Sequence, residues 1–447
     1  MKWTLVKLSH LVVGCFYMPM SYADFHESEP FNKGDDQEAV SLNEQGIEVI
    51  DIKNINVEQK KKGGAKTINT TTTYVRCWYR ASDSLEKPKT KWKWALNEKG
   101  KYFRLEGYWR SSYSPKNMFY TNTTQEEIRE ACQSTLEDKV RGYEHADIRF
   151  YASDHRGSYN HTIWTNDKED STKSFNRIVA FGDSLSDTGN LYNASQWLFP
   201  NSNSWFGGNF SNGFVWTEYL AVNMEVPLYN WAIGGAAGSD QYKELKGVSS
   251  QIDSYVSYMK KAKNYDPEHT LFTLEFGLND LMIYRRDVYK IKADLSRALT
   301  KLTENGAKSI IVMILPDVSR APQFKNATAE FREKLAKDIK ELNKFLIQHT
   351  EHYVTDGVNI MLLAVDELMD DLVDNPTSFG FENSSSACLI DLKADSSTFY
   401  LHHNKLTQDC METGSDKYVF WDVTHPTTSV HELIAKEALD RYRLIQN

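Results

Sequence analysis

Polar and apolar positions along this chain fall into three regimes. From about Ser174 to the C-terminus, short apolar runs alternate with longer segments of helical period. Arg177–Phe181, Thr270–Glu275 (TLFTLE), Ser309–Leu315 (SIIVMIL) and Ile360–Val365 read as strands, and the third is continuous and β-branched, as a strand covered on both faces should be. Between them, Val248, Ile252, Tyr255, Val256 and Met259 repeat at the spacing of one helical face. Ile291 to Glu304 does the same through Leu295, Leu299 and Leu302, with Gly306 as its stop, and Thr428 to Tyr442 reads as a last helix approached by Pro426. Strand–helix alternation over residues 174–447 predicts an α/β domain with a parallel sheet and helices on both faces. In such sheets, sites form at the carboxyl ends of the strands.

Tyr74 to about Thr165 is patterned differently. Trp78, Tyr79, Trp92, Trp94, Tyr108, Trp109, Phe119 and Tyr120 crowd into short aromatic and β-branched runs broken by Asn, Gly, Ser and Pro. That pattern predicts a small strand-rich domain over 74–165. Residues 24–73 are polar, contain Lys60-Lys61-Lys62-Gly63-Gly64 and end in a threonine run, so they read as a flexible leader. At the N-terminus, Lys2 and Lys7 precede an apolar stretch from Leu8 to Met20, and Ser21-Tyr22-Ala23 places small residues where a signal peptidase reads; residues 1–23 are read as a signal peptide and the protein as secreted. Val12-Val13-Gly14-Cys15 offers a competing lipobox with a lipid on Cys15, but the residues after Cys15 stay apolar to Met20, where a lipoprotein turns polar. No later apolar run has the length of a membrane span.

Composition narrows the partners. A chain of 447 residues exceeds one ordinary domain. Its net charge of −9 argues against a nucleic-acid partner, because phosphate backbones are held by clustered Lys and Arg. Loss of the signal segment would remove Cys15 and leave Cys77, Cys132, Cys388 and Cys410, an even number that predicts disulfides in an exported chain. Three connectivities are open; pairing within each domain, Cys77–Cys132 and Cys388–Cys410, is the most economical. Closing the second loop contributes about 3 kcal/mol on the chain-entropy model.

Four short motifs carry candidate chemistry. The first strand runs into Gly182-Asp183-Ser184-Leu185, so Ser184 sits at a carboxyl end; alone, a serine after a turn is more often a cap. Asn230-Trp231-Ala232-Ile233-Gly234-Gly235 ends in paired glycines that let bare backbone approach a site, or simply make a tight turn. Gly277-Leu278-Asn279-Asp280 follows the strand ending near Glu275, where the Asn279 amide either donates to a developing oxyanion or closes an Asx turn. Asp422-Val423-Thr424-His425 supplies a base for a hydroxyl nucleophile and an acceptor to hold that base in one tautomer. A second Asp-x-x-His, Asp266-Pro267-Glu268-His269, lies at the amino end of its strand, roughly 20 Å from Asn279 at the usual rise per residue, and is too far to serve the same site. No Gly-x-Ser-x-Gly elbow occurs, which disfavours the α/β-hydrolase arrangement.

In this order the four motifs resemble the SGNH (GDSL) hydrolases, with Gly182-Asp183-Ser184-Leu185 matching the nucleophile block, Gly235 the second, Asn279 the third, and Asp422 with His425 the fifth. Tyr74-Val75-Arg76-Cys77-Trp78-Tyr79-Arg80, Asn117-Met118-Phe119-Tyr120-Thr121-Asn122-Thr123, Ser158-Tyr159-Asn160-His161-Thr162-Ile163-Trp164, Ser211-Asn212-Gly213-Phe214-Val215-Trp216-Thr217-Glu218-Tyr219 and Phe420-Trp421-Asp422-Val423-Thr424-His425-Pro426-Thr427-Thr428 are similar to the thermolabile hemolysin/lecithinase family of marine bacteria, from about Tyr74 onward. The resemblance implies a flavodoxin-like SGNH sheet and a secreted enzyme that cleaves acyl esters of membrane phospholipids, with hemolysis and acyl transfer to other alcohols as accompanying activities. It implies Ser184 as nucleophile, His425 as base, Asp422 as its orienting acid, an oxyanion hole of the Ser184 and Gly235 N–H groups with the Asn279 amide, and neither metal nor cofactor. Gly235 is preferred to Gly234 only by the family's spacing. Among the aromatics Trp197, Phe199, Trp205, Phe206, Phe210, Phe214 and Trp216, most read as core and some as an acyl groove. An esterase for soluble or carbohydrate esters, and a non-enzymatic lipid-binding toxin, stand as alternatives.

Overall fold

The computed structural model describes residues 70–446 except 83, 111–116, 142–147, 167–168, 243–244, 355–356 and 391–398. The signal-peptide reading, the Cys15 alternative and the leader up to residue 69 lie outside the described residues. The last part of the leader reading needs correction. Strand β1, Thr71–Arg80, begins inside the threonine run, and Thr71–Thr73 pair with Gly107, Glu106 and Leu105. β-Branched threonines suit a pleated strand once a partner strand is available, which polarity alone does not register.

β1 is the hub of an N-terminal sheet with β2 (Thr90–Trp94), β3 (Arg104–Arg110), β4 (Met118–Thr121), β5 (Arg149–Ser153) and β6 (Thr162–Thr165). The strands lie in the order β2-β1-β3-β4-β6, with β5 also pairing with β1. A helix, Gln125–Lys139, packs on this sheet; Thr124 caps it reciprocally with Glu127, and a disulfide joins its Cys132 to Cys77 on β1. The aromatics are used largely inward. Tyr108, Met118, Tyr120 and Trp164 belong to the same buried cluster as Tyr229 and Tyr258 of the following region, and the Trp164 and Tyr229 rings stack 4.2 Å apart.

The second sheet is parallel, with β7 (Arg177–Phe181), β8 (Leu228–Asn230), β9 (Thr270–Leu274), β10 (Ser309–Ile314) and β11 (Asn359–Ala364) in the order β11-β10-β9-β7-β8. This is an α/β domain of flavodoxin-like strand order, whose topological switch point lies between β7 and β9. Helices Val248–Met259, Val288–Glu304 and Ala329–Val354 pack in series, while Trp216–Asn223 packs on Thr428–Gln446. Three elements add to those named from the apolar pattern. β8 spans three residues, too few to show a period, and exists by pairing with β7. Trp216–Asn223 has an apolar mean with little amphipathic contrast, and Ala329–Val354 buries Leu335, Ile339, Leu342 and Leu346. The helix Val248–Met259 also turns its face slightly from the expected one: Gln251 and Tyr258 are buried, whereas Val256 and Met259 are half-buried.

A small parallel ribbon, β12 (Asn383–Ala387) with β13 (Tyr418–Phe420), leads into Trp421 and Asp422. A second disulfide joins Cys388 to Cys410 in a buried cluster with Trp205 and Trp421. Both pairings are those within one region of the chain.

Candidate active site

β7 ends at Phe181, and the turn after it is fixed residue by residue. Gly182 donates its N–H to Gln251 Oε1 (3.0 Å) and accepts from Gln251 Nε2 (2.9 Å). A Cβ at this position would lie 2.1 Å from Glu275 Oε1, so only glycine fits. The same Glu275 oxygen accepts the Asp183 N–H at 2.7 Å. Asp183 then folds the turn: its carbonyl accepts from Ser186 and Asp187 N–H, and its Oδ1 from Leu185 N–H. Among the described residues, the Ser184 N–H is left without a partner in this turn.

Ser184, 8% exposed, points its hydroxyl at His425, with Oγ to Nε2 2.9 Å. On the other side of the ring, Nδ1 lies 3.0 and 2.9 Å from the two Asp422 oxygens. That arrangement keeps the proton on Nδ1, donated to the Asp422 carboxylate, and leaves Nε2 as the acceptor toward Ser184. Asp422 is fully buried yet ionised. Burial alone would raise its carboxyl, but the His425 charge and hydrogen bond, with the N–H groups of Thr424 and His425, outweigh burial and hold it below the usual carboxylate range. The indole N–H of Trp205 donates to Asp422 Oδ2 at 3.1 Å. The Phe210 ring packs 5.0 Å from the imidazole, and the Tyr400 hydroxyl lies 3.3 Å from Nδ1.

The glycine and asparagine motifs meet at the same place. Asp187 accepts the Gly234 N–H at 2.7 Å, so that N–H is occupied, whereas Gly235 N–H has no partner among the described residues and Gly235 adopts φ +80° on the cavity wall. Tyr284 donates its hydroxyl to the Gly235 carbonyl at 2.8 Å. Asn279 Nδ2 donates to Asp183 Oδ2 (2.9 Å) and to the Ala236 carbonyl (3.1 Å), which ties the three loops together. Both amide hydrogens are therefore already engaged, and an oxyanion would have to draw one of them from these acceptors. Beneath the turn, burial pushes the Asp183 and Glu275 carboxyls up, Glu275 well above its ordinary value, with the neighbouring Asp183 charge adding to the effect. The other Asp-x-x-His stands apart, at the amino end of β9, where His269 Nδ1 pairs with Glu169 at 2.8 Å.

The cavity at Ser184 and His425 measures about 380 Å³ and is walled largely by apolar side chains, among them Phe199, Phe210, Val318, Phe324, Phe331 and Met369. Of the aromatics read as core or groove, Phe199 and Phe210 line it. Trp205 lies behind Asp422, Phe206 and Phe214 flank the Arg149 guanidinium, and Trp197 packs on Arg76. Sequence reasoning did not reach Gln251, Glu275, Asp187, Tyr284 or Tyr400, and it read Trp205 and Phe210 as core or groove aromatics without their contacts to Asp422 and His425. Each acts on a motif far away along the chain, and none carries a local signal of its own.

Residues 178–438 match the sequence profile of GDSL-like lipases/acylhydrolases. The chain belongs to that family. Residues 41–166 match a second profile, the N-terminal domain of the Vibrio dual lipase/transferase, which begins within the segment read as a leader. The chain is 53% identical over 372 residues to the thermolabile hemolysin of Vibrio parahaemolyticus, covering 83% of this chain and 88% of the relative, and it is a member of that hemolysin group. It is 25% identical over 307 residues to the phosphatidylcholine-sterol acyltransferase of Aeromonas hydrophila, covering 60% of this chain and 90% of that one. As a GDSL family member the protein is a lipolytic ester hydrolase acting on lipid substrates. No helix among the described residues is long and apolar enough to cross a membrane.

Proposed function

We propose that this protein is a secreted phospholipase A or lysophospholipase that cleaves acyl esters of glycerophospholipids through Ser184, His425 and Asp422. The observation that carries the reading is the continuous hydrogen-bonded line from Ser184 Oγ through His425 to Asp422 on the floor of an apolar cavity of about 380 Å³. His425 takes the serine proton as Oγ attacks the ester carbonyl, and Asp422 stabilises the imidazolium that forms. The N–H groups of Ser184 and Gly235, with the Asn279 amide, hold the oxyanion; losing one such donor typically costs about 3 kcal/mol of transition-state stabilisation. His425 then protonates the leaving lysolipid alcohol, and water attacks the acyl-serine by the reverse path. The apolar wall accommodates an acyl chain, which favours lipid over acetyl or carbohydrate esters. The relatives, a hemolysin and an acyltransferase of phosphatidylcholine and sterol, fit a phospholipid substrate and support an alcohol replacing water as acceptor.

Fatty-acid release from phosphatidylcholine liposomes by the wild type and by Ser184→Ala, with p-nitrophenyl butyrate in parallel, tests the reading. Release by the wild type, with a loss in Ser184→Ala of at least about 10⁴-fold, is expected. Cleavage of the soluble ester alone moves the substrate to the esterase alternative. Equal release by both proteins rejects Ser184, and lysis of cells by Ser184→Ala at wild-type strength would revive the non-enzymatic toxin.

A further inference from the structure

We propose that Arg285 forms the subsite for the phosphodiester of the phospholipid, a proposal that rests on the phospholipase reading above. Arg285 lines the same cavity as Ser184, Gly235 and Asn279. Its neighbour Arg286 turns inward and pairs with the buried carboxylates of Asp280 and Asp294. Arg285 has no carboxylate within ion-pair distance among the described residues. Its guanidinium lies over the Phe331 ring, 4.5 Å from the centroid. Burial of part of this side chain lowers its pKa, with no acidic group opposing the shift. The other arginine on the cavity wall, Arg320, is already neutralised by Asp370 and Asp374. Of the acids on the wall, Asp317 is turned to the Ser319 N–H at 3.0 Å, and Asp183 is held by Leu185 and Asn279. Among the described residues of this largely apolar wall, Arg285 is thus the arginine left without a carboxylate partner.

The backbone supports a positional role. Arg285 adopts φ +54°, a left-handed conformation that favours glycine, and a non-glycine residue held there stores strain that the surrounding structure must over-determine. The restraints are visible on both sides. Tyr284 N–H donates to the Asn279 carbonyl (3.1 Å), Tyr284 hydroxyl to the Gly235 carbonyl (2.8 Å), and Arg286 N–H to the Asp280 carbonyl (2.9 Å). The guanidinium is therefore carried on the turn that follows Asn279 and is tied through Tyr284 to the Gly235 loop. A planar fork of N–H donors resting on an aromatic face matches two phosphate oxygens at once. In a glycerophospholipid the phosphate stands only a few bonds from the scissile carbonyl, while the acyl chain is apolar; the cleft offers a cation for the first and an apolar wall for the second. A neutral glyceride has nothing to offer Arg285.

Hydrolysis of phosphatidylcholine is compared with that of a diacylglycerol bearing the same chains, both in neutral-detergent mixed micelles, for the wild type, Arg285→Gln, Arg285→Lys and Lys290→Gln. The ratio of the two kcat/KM values is expected to fall about tenfold or more in Arg285→Gln, chiefly through KM, because a hydrogen bond to a charged group is lost. Arg285→Lys should recover part of it, and the exposed Lys290→Gln should retain the wild-type ratio. An unchanged ratio in Arg285→Gln, or a loss shared equally by both substrates, overturns the proposal while leaving the phospholipase reading intact. Inorganic phosphate that inhibits both substrates alike in the wild type and not in Arg285→Gln, with the ratio unchanged, assigns the site to a free anion and also overturns it. A wild type that cleaves diacylglycerol and p-nitrophenyl butyrate but not phosphatidylcholine overturns both readings together.

Discussion

Trp205 and Asp422 are separated by 217 positions in the chain, yet one indole N–H ends on one carboxylate oxygen. The bond has two consequences. It supplies a neutral donor to a fully buried anion, which would otherwise bear the cost of lost hydration. It also fixes the carboxylate plane, so that both oxygens face His425 Nδ1. Trp205 is held in turn: its neighbour Ser204 accepts the Trp421 indole N–H at 2.8 Å, and Trp205 packs against the Cys388–Cys410 cluster. Trp205→Phe keeps the ring and deletes the donor. It is expected to lower kcat for p-nitrophenyl butyrate about tenfold with KM little changed, since a donor to a charged group is worth about 1.5–3 kcal/mol and only part of that bears on the transition state. An unchanged kcat would show that the backbone donors suffice to orient Asp422.

At the scale of elements, the last helix does more than close the fold. Thr428–Gln446 follows directly from His425 and lies against Trp216–Asn223. His431 joins the two by accepting the Trp216 N–H on Nδ1 at 3.3 Å, which answers one of the orphan donors at that helix start. The ring is 1% exposed; burial first, then the nearby His425 charge, lower its pKa from the ordinary 6.5 to about 3. The unfolded chain therefore takes up a proton below pH 6.5 that the folded protein refuses until about pH 3. Proton uptake favours the unfolded state across that window, so stability falls as pH drops from 6.5 toward 3 and is insensitive to His431 above 6.5. His431→Asn keeps an acceptor near Nδ1 and removes the titration. Urea midpoints measured at several pH values should show a shallower acid slope for this variant than for the wild type; equal slopes would place the acid sensitivity elsewhere.

For the whole molecule, the joint between the aromatic-rich region and the hydrolase region is a buried ion pair set among rings. Arg149 on β5 donates from Nε and Nη2 to Glu218 at 2.7 and 2.8 Å, with side-chain exposures of 10% and 9%. Phe206 and Phe214 flank the guanidinium, and Glu218 also accepts from Asn209 and from the Val215 N–H. Removing one partner leaves an unpaired buried charge, which typically costs about 3–5 kcal/mol. Arg149→Met should lower the unfolding free energy by about that amount in urea titrations, and replacing Glu218 by Gln as well should restore part of it. A loss under about 1 kcal/mol would mean that water reaches the pair and screens it.

What the sequence determined by itself was local. Strand and helix period, the glycine that must follow β7, and an Asp three residues before a His are all written within a few positions, because steric fit and side-chain reach act over that distance. The parallel α/β domain and the four motifs were legible for that reason. The N-terminal aromatics marked a strand-rich region but not the face they would bury, since that depends on the surface they meet. The start of β1 among the threonines, and β8, were likewise not legible, because a strand becomes one by pairing. Tertiary structure alone decided that Ser184 and His425, 241 positions apart, stand 2.9 Å from each other. It also decided that Gly234 spends its N–H on Asp187 while Gly235 faces the cavity, that Glu275 lies under the nucleophile turn, and that Arg285 rather than Arg286 is left to the cleft. These choices turn on which groups remain unpaired once every closer partner has been satisfied, and that accounting exists only in the folded chain.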